Sequence, residues 1–402
     1  MATENKKYIP ALRFPEFQND GEWILTPVGK YYKVQGGFAF RSSEFKKSGT
    51  PIIRISNIPN EGIYIDISNS VYYDRIENEV NFLISKGDLL IAMSGATTGK
   101  TAVYNQIGKA YLNQRVGLFK SINSHNYYPF ICQWVKSNYF YAQLKRTLAA
   151  GAQPNISGKD IESFIWAYPN GNNSFAEQKK ISDCLSSLDK YIDAAKRKLE
   201  LLKEHKKGLM QRLFPAKGKT TPELRFPEFQ NDGEWVEVPF GSIINVNYGK
   251  DYKHLDVGNI PVYGTGGYML SVNDRLSDID AVGIGRKGTI DKPQYLKAPF
   301  WTVDTLFFLT SSKNYDIRYL YYLCQTIPWK TYGEQTGVPS ISKNSIDKLD
   351  VVITTNLVEQ QKIAQSLLHL DNAMDAIKRK IHLLETHKYG LMQNLFPDLN
   401  NY

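Results

Sequence analysis

Two stretches of the chain place apolar residues at alternating steps of four and three. In the first they are Ile181, Leu185, Leu188, Ile192, Ala195, Leu199, Leu202, Leu209 and Leu213. In the second they are Ile363, Leu367, Leu370, Met374, Ile377, Ile381, Leu384, Leu391 and Leu395. This is the a/d seam of a coiled coil, and one lysine interrupts it in each stretch, Lys206 or Lys388. The spacing predicts helices that start near Glu177 and Glu359 and end about Gly208 and Gly390, because glycine suits a helix end. At about 1.5 Å per residue, such a helix is a rod of roughly 45 Å. Matching seams make the two helices natural partners for each other, and the chain path makes that pairing antiparallel.

The segments ahead of the helices carry shorter apolar runs of strand type. They are Asp88–Ala92, Val116–Lys120 and Phe164–Ala167 in the first, and Ala281–Gly285, Leu306–Leu309 and Leu349–Ile353 in the second. A helical stretch precedes each closing strand, at Tyr128–Leu148 and Ile317–Tyr332. Both segments therefore read as mixed α/β with one order of elements.

The chain also repeats itself literally. Pro10-Ala-Leu-Arg-Phe-Pro-Glu-Phe-Gln-Asn-Asp-Gly-Glu-Trp23 returns at Pro222–Trp235 with one change in fourteen positions, and Phe175–Pro215 returns as Leu357–Pro397 with 23 of 41 positions identical. Pro10 and Gln178 are 168 positions apart, whereas Pro222 and Gln360 are 138 apart. The frame is repeated, and the inserts differ in length and sequence. This is the pattern of two different reading heads held in equivalent places on a pseudo-symmetric scaffold. The expected domains are 1–174, 175–215, 216–356 and 357–402: insert, helix, insert, helix. Phe14, Phe17 and Trp23, with Phe226, Phe229 and Trp235, are expected to anchor the lead-in segments by burial. Lys196-Arg197-Lys198 and Lys378-Arg379-Lys380 fall off the seam, as solvated helix flanks. His205 and His387 read as helix-end histidines.

Composition narrows the function. The 402 residues suffice for two to four domains. No apolar run is long enough to span a membrane and the N-terminus shows no signal region, so cytoplasmic residence is expected. Cys132, Cys184 and Cys324 are scattered, without zinc or disulfide spacing. A net charge of +9 favours a polyanionic partner, since lysine and arginine gain affinity by releasing counterions from phosphates.

Glycine-rich turns carry the candidate chemistry: Ser94-Gly-Ala-Thr-Thr-Gly99-Lys100, Tyr263-Gly-Thr-Gly-Gly267 and Gly285-Arg-Lys-Gly288. Two loops, Gly151–Ser157 and Gly337–Ser342, close the inserts. Such loops let backbone amides approach phosphates while longer side chains reach base edges. Two nucleotide motifs fail. Gly95-Ala-Thr-Thr-Gly99-Lys100-Thr101 is one residue short of P-loop spacing, and Gly283–Gly288 leads into a strand-like segment with Pro293 instead of a phosphate-binding helix. There is no Asn/Asp-Pro-Pro-Tyr/Phe tetrapeptide, no carboxylate–lysine nuclease cluster and no nucleophile triad. Catalysis by this chain is not expected. Base choice is assigned to loop residues: Arg54, Ser94, Lys100, Gln114, Arg115 and Gln153 in the first insert. In the second they are Lys250, Thr265, Arg286, Lys287, Trp301 and Thr336.

The duplicated Leu-Arg-Phe-Pro-Glu-Phe…Trp lead-in, the Ile-Ser…Glu-Gln…Ile passage into a long helix (Ile156–Ile181, Ile341–Ile363) and the alternation of variable and repeated blocks span the whole chain. In these features it resembles the specificity subunit of type I restriction–modification enzymes. One detail departs from that pattern: Pro169 precedes the first Glu-Gln, but Ile353-Thr-Thr-Asn356 leads to the second. The resemblance implies two α/β (α+β) target-recognition domains in pseudo-two-fold arrangement, joined by two long antiparallel coiled-coil helices. It implies a non-catalytic subunit that reads an asymmetric bipartite site in double-stranded DNA. It also implies two modification (methyltransferase) subunits and ATP-dependent restriction subunits as partners, which would bring S-adenosylmethionine, ATP and Mg. The competing expectation is a two-module scaffold that binds protein partners instead of DNA.

Overall fold

The computed structural model describes residues 8–60, 62–74, 76, 79–149, 154–312, 314–333 and 338–399. Gln153 and Thr336 lie outside them. The chain forms two compact units, one made of residues 1–197 and 379–402, the other of residues 198–378. The division runs through both long helices, so each unit contains part of each.

The first unit opens with β1 (Ile24–Pro27) and β2 (Tyr32–Gly36), followed by β3 (Thr50–Ile53), β4 (Val71–Tyr73), β5 (Leu83–Ile84), β6 (Leu89–Ala92), β7 (Thr101–Val103), β8 (Ala110–Leu112) and β9 (Val116–Ser121). Helices α1 (Tyr128–Trp134), α2 (Asn138–Ala149) and α3 (Gly158–Ser163) precede β10 (Ile165–Tyr168) and the 40-residue α4 (Ser174–Leu213). The strands make sheets β2-β9-β6-β7 and β4-β3-β8-β5, and β10 returns to pair antiparallel with β1.

The second unit repeats this plan with β11 (Val236–Pro239), β12 (Ile244–Tyr248), β13 (Val257–Gly264), β14 (Gly267–Val272), β15 (Ala281–Gly285), β16 (Gln294–Leu296), β17 (Trp301–Thr302) and β18 (Leu306–Ser311). Then come α5 (Ile317–Thr326), α6 (Trp329–Tyr332), α7 (Lys343–Asp347), β19 (Asp350–Ile353) and α8 (Leu357–Leu395). Sheet β12-β18-β15-β16 answers β2-β9-β6-β7, β14-β13-β17 stands for the second sheet, and β19 pairs antiparallel with β11.

The helical stretches expected before the closing strands each break in two. Ser137 caps the second piece in the first unit, its Oγ accepting from Phe140 N at 3.3 Å. Pro328, which has no amide to donate, separates α5 from α6. The long helices outrun their expected ends: Gly208 and Gly390 lie inside α4 and α8. A mid-helix glycine costs about 0.5–1 kcal/mol. Beyond Gly208, Met210, Leu213 and Phe214 enter the core of the second unit, and beyond Gly390, Met392, Leu395 and Phe396 enter that of the first. Burying a side chain of this size contributes about 1.5–3 kcal/mol, so packing overrides the glycine. His205 and His387 accordingly sit within the helices, exposed.

The seam residues serve these cores. Ile181 and Leu185 pack with Trp23 and Phe130 in the first unit, and Ile363 and Leu367 with Trp235 and Tyr319 in the second. Ile192, Leu199, Met374 and Ile381 are buried further along the seam, while Leu188, Leu202, Leu370 and Leu384 are half-buried. Of the six expected lead-in anchors, Phe17, Trp23, Phe229 and Trp235 are buried, while Phe14 and Phe226 are half-buried. Arg13 makes a two-pronged pair with Glu177 (2.7 and 2.9 Å), and Arg225 repeats it with Glu359 at the same distances. Where the second helix lacks the expected proline, Asn356 caps it, its Oδ1 accepting from Val358 N and Glu359 N.

Candidate nucleic-acid interface

In the second unit β12 and β15 both run antiparallel to β18. Their C-terminal ends and the start of β18 therefore meet at one sheet edge, where Tyr248, Arg286 and Phe307 come together. Gly249 turns the chain there. A Cβ on it would lie 2.0 Å from the Val303 carbonyl oxygen, so no other residue fits. Lys250 N then donates to Thr302 O at 2.9 Å. Thr265 arrives on the β13–β14 turn, whose Gly264 and Thr265 carbonyls accept from Gln294 Nε2. The closing loop is stitched to the same edge: Gly288 N donates to Pro339 O and Ile341 N to Arg286 O. Ser342 caps α7, and Lys343 Nζ reaches the Val246 carbonyl at 3.1 Å.

The structure thus gathers Lys250, Thr265, Arg286 and Lys287 at one edge, all four outside the core. Trp301 is different: it is only 4% exposed, and its indole N–H donates to Lys250 O at 2.9 Å. It shapes the Lys250 turn from beneath instead of presenting an edge. Tyr248 and Lys343 share the site without having been picked out in the sequence. The only signal was a tyrosine at a strand end beside Gly249-Lys250.

The first unit builds its edge on the same backbone pattern. Phe38 N donates to Leu112 O as Lys250 N does to Thr302 O, and Met93 N to Arg115 O as Arg286 N does to Thr305 O. Ile156 N donates to Met93 O as Ile341 N does to Arg286 O. Gly37, like Gly249, has a carbonyl 2.0 Å from the position of a Cβ. The side chains on this frame differ. Gln114 and Arg115 are exposed at the β8–β9 turn. Arg54 is half-buried over the Phe45 ring, with Nη2 donating to Asn69 O at 3.3 Å, and Lys100 Nζ lies 3.5 Å from Asn60 O. Ser94 is half-buried.

The glycine-rich turn at 94–100 spends three of its amides internally. Thr98 N donates to Gly95 O, Gly99 N to Ala92 O and Lys100 N to Thr97 O. A phosphate cradle would need these three free. After Gly288 the chain continues into β16 with no helix, which also removes a dinucleotide site. Among the described residues no group of three or more His, Cys, Asp or Glu could hold a metal ion. No helix of the described residues is long and apolar enough to cross a membrane. Burial pushes the Cys132 thiol up to about 12 and raises Cys324 further, so neither offers a thiolate at neutral pH.

The two lysines that interrupt the seam turn out to be paired. Lys388 Nζ donates to Asp189 Oδ1 at 2.6 Å in the first unit, where Lys136 (2.8 Å) and Gln133 (3.0 Å) share Oδ2. Lys206 Nζ donates to Asp371 (2.7 and 2.9 Å) in the second, joined by the Tyr322 hydroxyl at 2.7 Å. Burial alone would raise the Asp189 carboxyl; Lys136 and Lys388 together hold it below its ordinary value.

The family model for the type I restriction modification DNA specificity domain matches this chain twice, over residues 23–204 and 232–386. The chain belongs to the type I restriction–modification specificity family. The two matches fall on the two insert-plus-helix repeats, and the family is one of non-catalytic specificity subunits. Among its relatives the chain is 24% identical over 200 residues to the MjaVIII specificity subunit of Methanocaldococcus jannaschii, which covers 49% of this chain and 46% of that one. It is 25% identical over 173 residues to the EcoAI specificity subunit of Escherichia coli, covering 40% and 28%. The match to these two relatives thus spans less than half the length of either. A putative MjaX specificity subunit of M. jannaschii aligns over 394 residues at 23% identity, covering 87% of each chain. In fold the specificity subunit is similar to the S subunit of a type I system from M. genitalium, with a TM-score of 0.69 and 18% identity, over 97% of this chain and all of that one.

Proposed function

We propose that this specificity subunit binds double-stranded DNA and reads an asymmetric bipartite site, one half with each target-recognition domain, in the cytoplasm. It holds two methyltransferase subunits and restriction subunits, and S-adenosylmethionine, ATP and Mg act in those partners. The observation that supports this reading is the pair of sheet edges. One backbone hydrogen-bond frame appears in both units, yet Met93 stands where the other has Arg286, and Arg115 where the other has Thr305. Identical frames with unlike side chains suit two recognition surfaces of unlike specificity. Exposed basic groups beside them suit phosphate contacts.

The test combines two measurements. Binding of the full chain, with its methyltransferase partner, to random duplex DNA should weaken steeply as salt rises. The methylated positions in cells carrying both should define a split, non-palindromic motif. Salt-independent binding together with no motif would leave a scaffold for protein partners.

A further inference from the structure

Resting on this DNA-reading function, we infer that Arg286 reads a guanine in the half-site of the second domain, with Tyr248 as its positioning residue. The Arg286 guanidinium carbon lies 5.9 Å from the Tyr248 ring centroid and 5.8 Å from that of Phe307. The two rings meet edge to face, 5.2 Å apart at 76°. Phe307 is 1% exposed and forms a floor, while Tyr248, 51% exposed, forms a wall that stands in solvent. The backbone of Arg286 is held from both sides, its N–H by Thr305 O at 2.7 Å and its carbonyl by Ile341 N at 3.0 Å. Among the described residues no carboxylate pairs with this guanidinium, and its side-chain contacts there are the two rings.

An arginine loses rotamer freedom when it binds; one already stacked on rings has less to lose and keeps its planar fork in a defined orientation. That fork matches the O6 and N7 acceptors of guanine in the major groove, which no other base presents together. Phosphate contacts fall to the compact ammonium groups around it, Lys250, Lys287 and Lys343.

The first domain supplies an internal control. Gly36 occupies the strand position of Tyr248 and Gly117 that of Phe307. Met93 replaces Arg286 and fills the space: its Sδ lies 3.1 Å from the Cβ position of Gly117, and its Cε 3.6 Å from that of Gly36. A thioether over two glycines has no hydrogen-bond donor, so this position reads no guanine in the other half-site.

The experiment is selection of duplexes by the full-length chain, with its methyltransferase partner, from a library randomised over both half-sites. Parental protein should fix guanine at one base pair in the half-site of the second domain. Arg286→Ala should lose preference at that base pair by about 5- to 150-fold, the range of a bidentate contact, and keep every other position. Tyr248→Ala should relax the same base pair, Tyr248→Phe should retain it, and Tyr248→Ala with Arg286→Ala should be no worse than Arg286→Ala. Uniform weakening over all sequences in Arg286→Ala would make the residue a phosphate contact and overturn the inference. So would a retained guanine in Arg286→Ala. A Tyr248→Ala protein as selective as the parent would overturn the positioning role. A parental chain with no sequence preference would instead overturn the DNA-reading function itself.

Discussion

Lys388 donates to Asp189 across 199 positions of sequence, and the two belong to different copies of the internal repeat. Lys388 is the repeat of Lys206, and Asp189 that of Asp371. Each long helix therefore gives its aspartate to one unit and its lysine to the other. The apolar ends follow the same exchange, since Met392, Leu395 and Phe396 complete the first core and Met210, Leu213 and Phe214 the second.

A fragment of residues 1–217 keeps Asp189 but lacks Lys388, Met392, Leu395 and Phe396. A second copy carries identical replacements in Lys206, Met210, Leu213 and Phe214. The fragment should be a dimer with a true two-fold axis and, with methyltransferase subunits, should read a palindromic split site. Light scattering checks the first point and mapping of methylated bases the second. Asp189→Lys in the fragment, which sets two lysines face to face, should give monomers or unfolded chain. A folded parental monomer at tens of micromolar would refute the exchange.

Arg13 and Glu177 are both buried, and the hydrogen-bonded Glu177 carboxylate raises the arginine's pKa. Arg13→Ala leaves that carboxylate uncompensated and should cost about 3–5 kcal/mol in denaturant unfolding. Arg225→Ala, facing Glu359, should cost a similar amount. Lys179→Ala, which removes an exposed pair with Asp183, should change stability by less than about 1 kcal/mol.

Gly208 and Gly390 occupy helix interiors, and nothing lies within 4 Å of a Cβ added at either. Gly208→Ala and Gly390→Ala should each stabilise by about 0.5–1 kcal/mol. Destabilisation by either would mean that the glycine serves a local bend, and thermal melts distinguish the two.

Asp189 also makes stability depend on pH. Its folded carboxyl titrates below the ordinary 3.8 of the unfolded chain. It therefore adds stability above that value, and the contribution disappears as pH falls through the depressed folded value. Asp189→Asn should be less stable at neutral pH and show a shallower loss between about pH 5 and pH 2. An unchanged acid slope would assign the loss to other carboxylates such as Asp183 and Asp160, which are lowered by Lys179 and Ser157.

Local periodicity carries much of this fold. The seams could be read directly because burial of one helix face imposes a period of 3.6, and Leu89–Ala92 and Ala281–Gly285 because burial on both faces makes a strand a continuous apolar run. The literal repeat likewise announced two equivalent units. What the sequence could not show were relationships that depend on which distant surfaces meet. Lys206 and Lys388 read as breaks in a seam until the opposite helix brought Asp371 and Asp189 to them. Gly208 read as a stop until tertiary burial beyond it outweighed a helix propensity of about 1 kcal/mol. Trp301 was a candidate for base contact, although it is buried and supports Lys250 from within. Tyr248 and Phe307 lie on β12 and β18 and Arg286 directly follows β15, and only the pairing of β12 and β15 with β18 places their side chains together. Sequence alone determined which elements form and that they form twice. Tertiary structure decided which residues face each other, because pairing across strands and helices joins positions that have no local pattern in common.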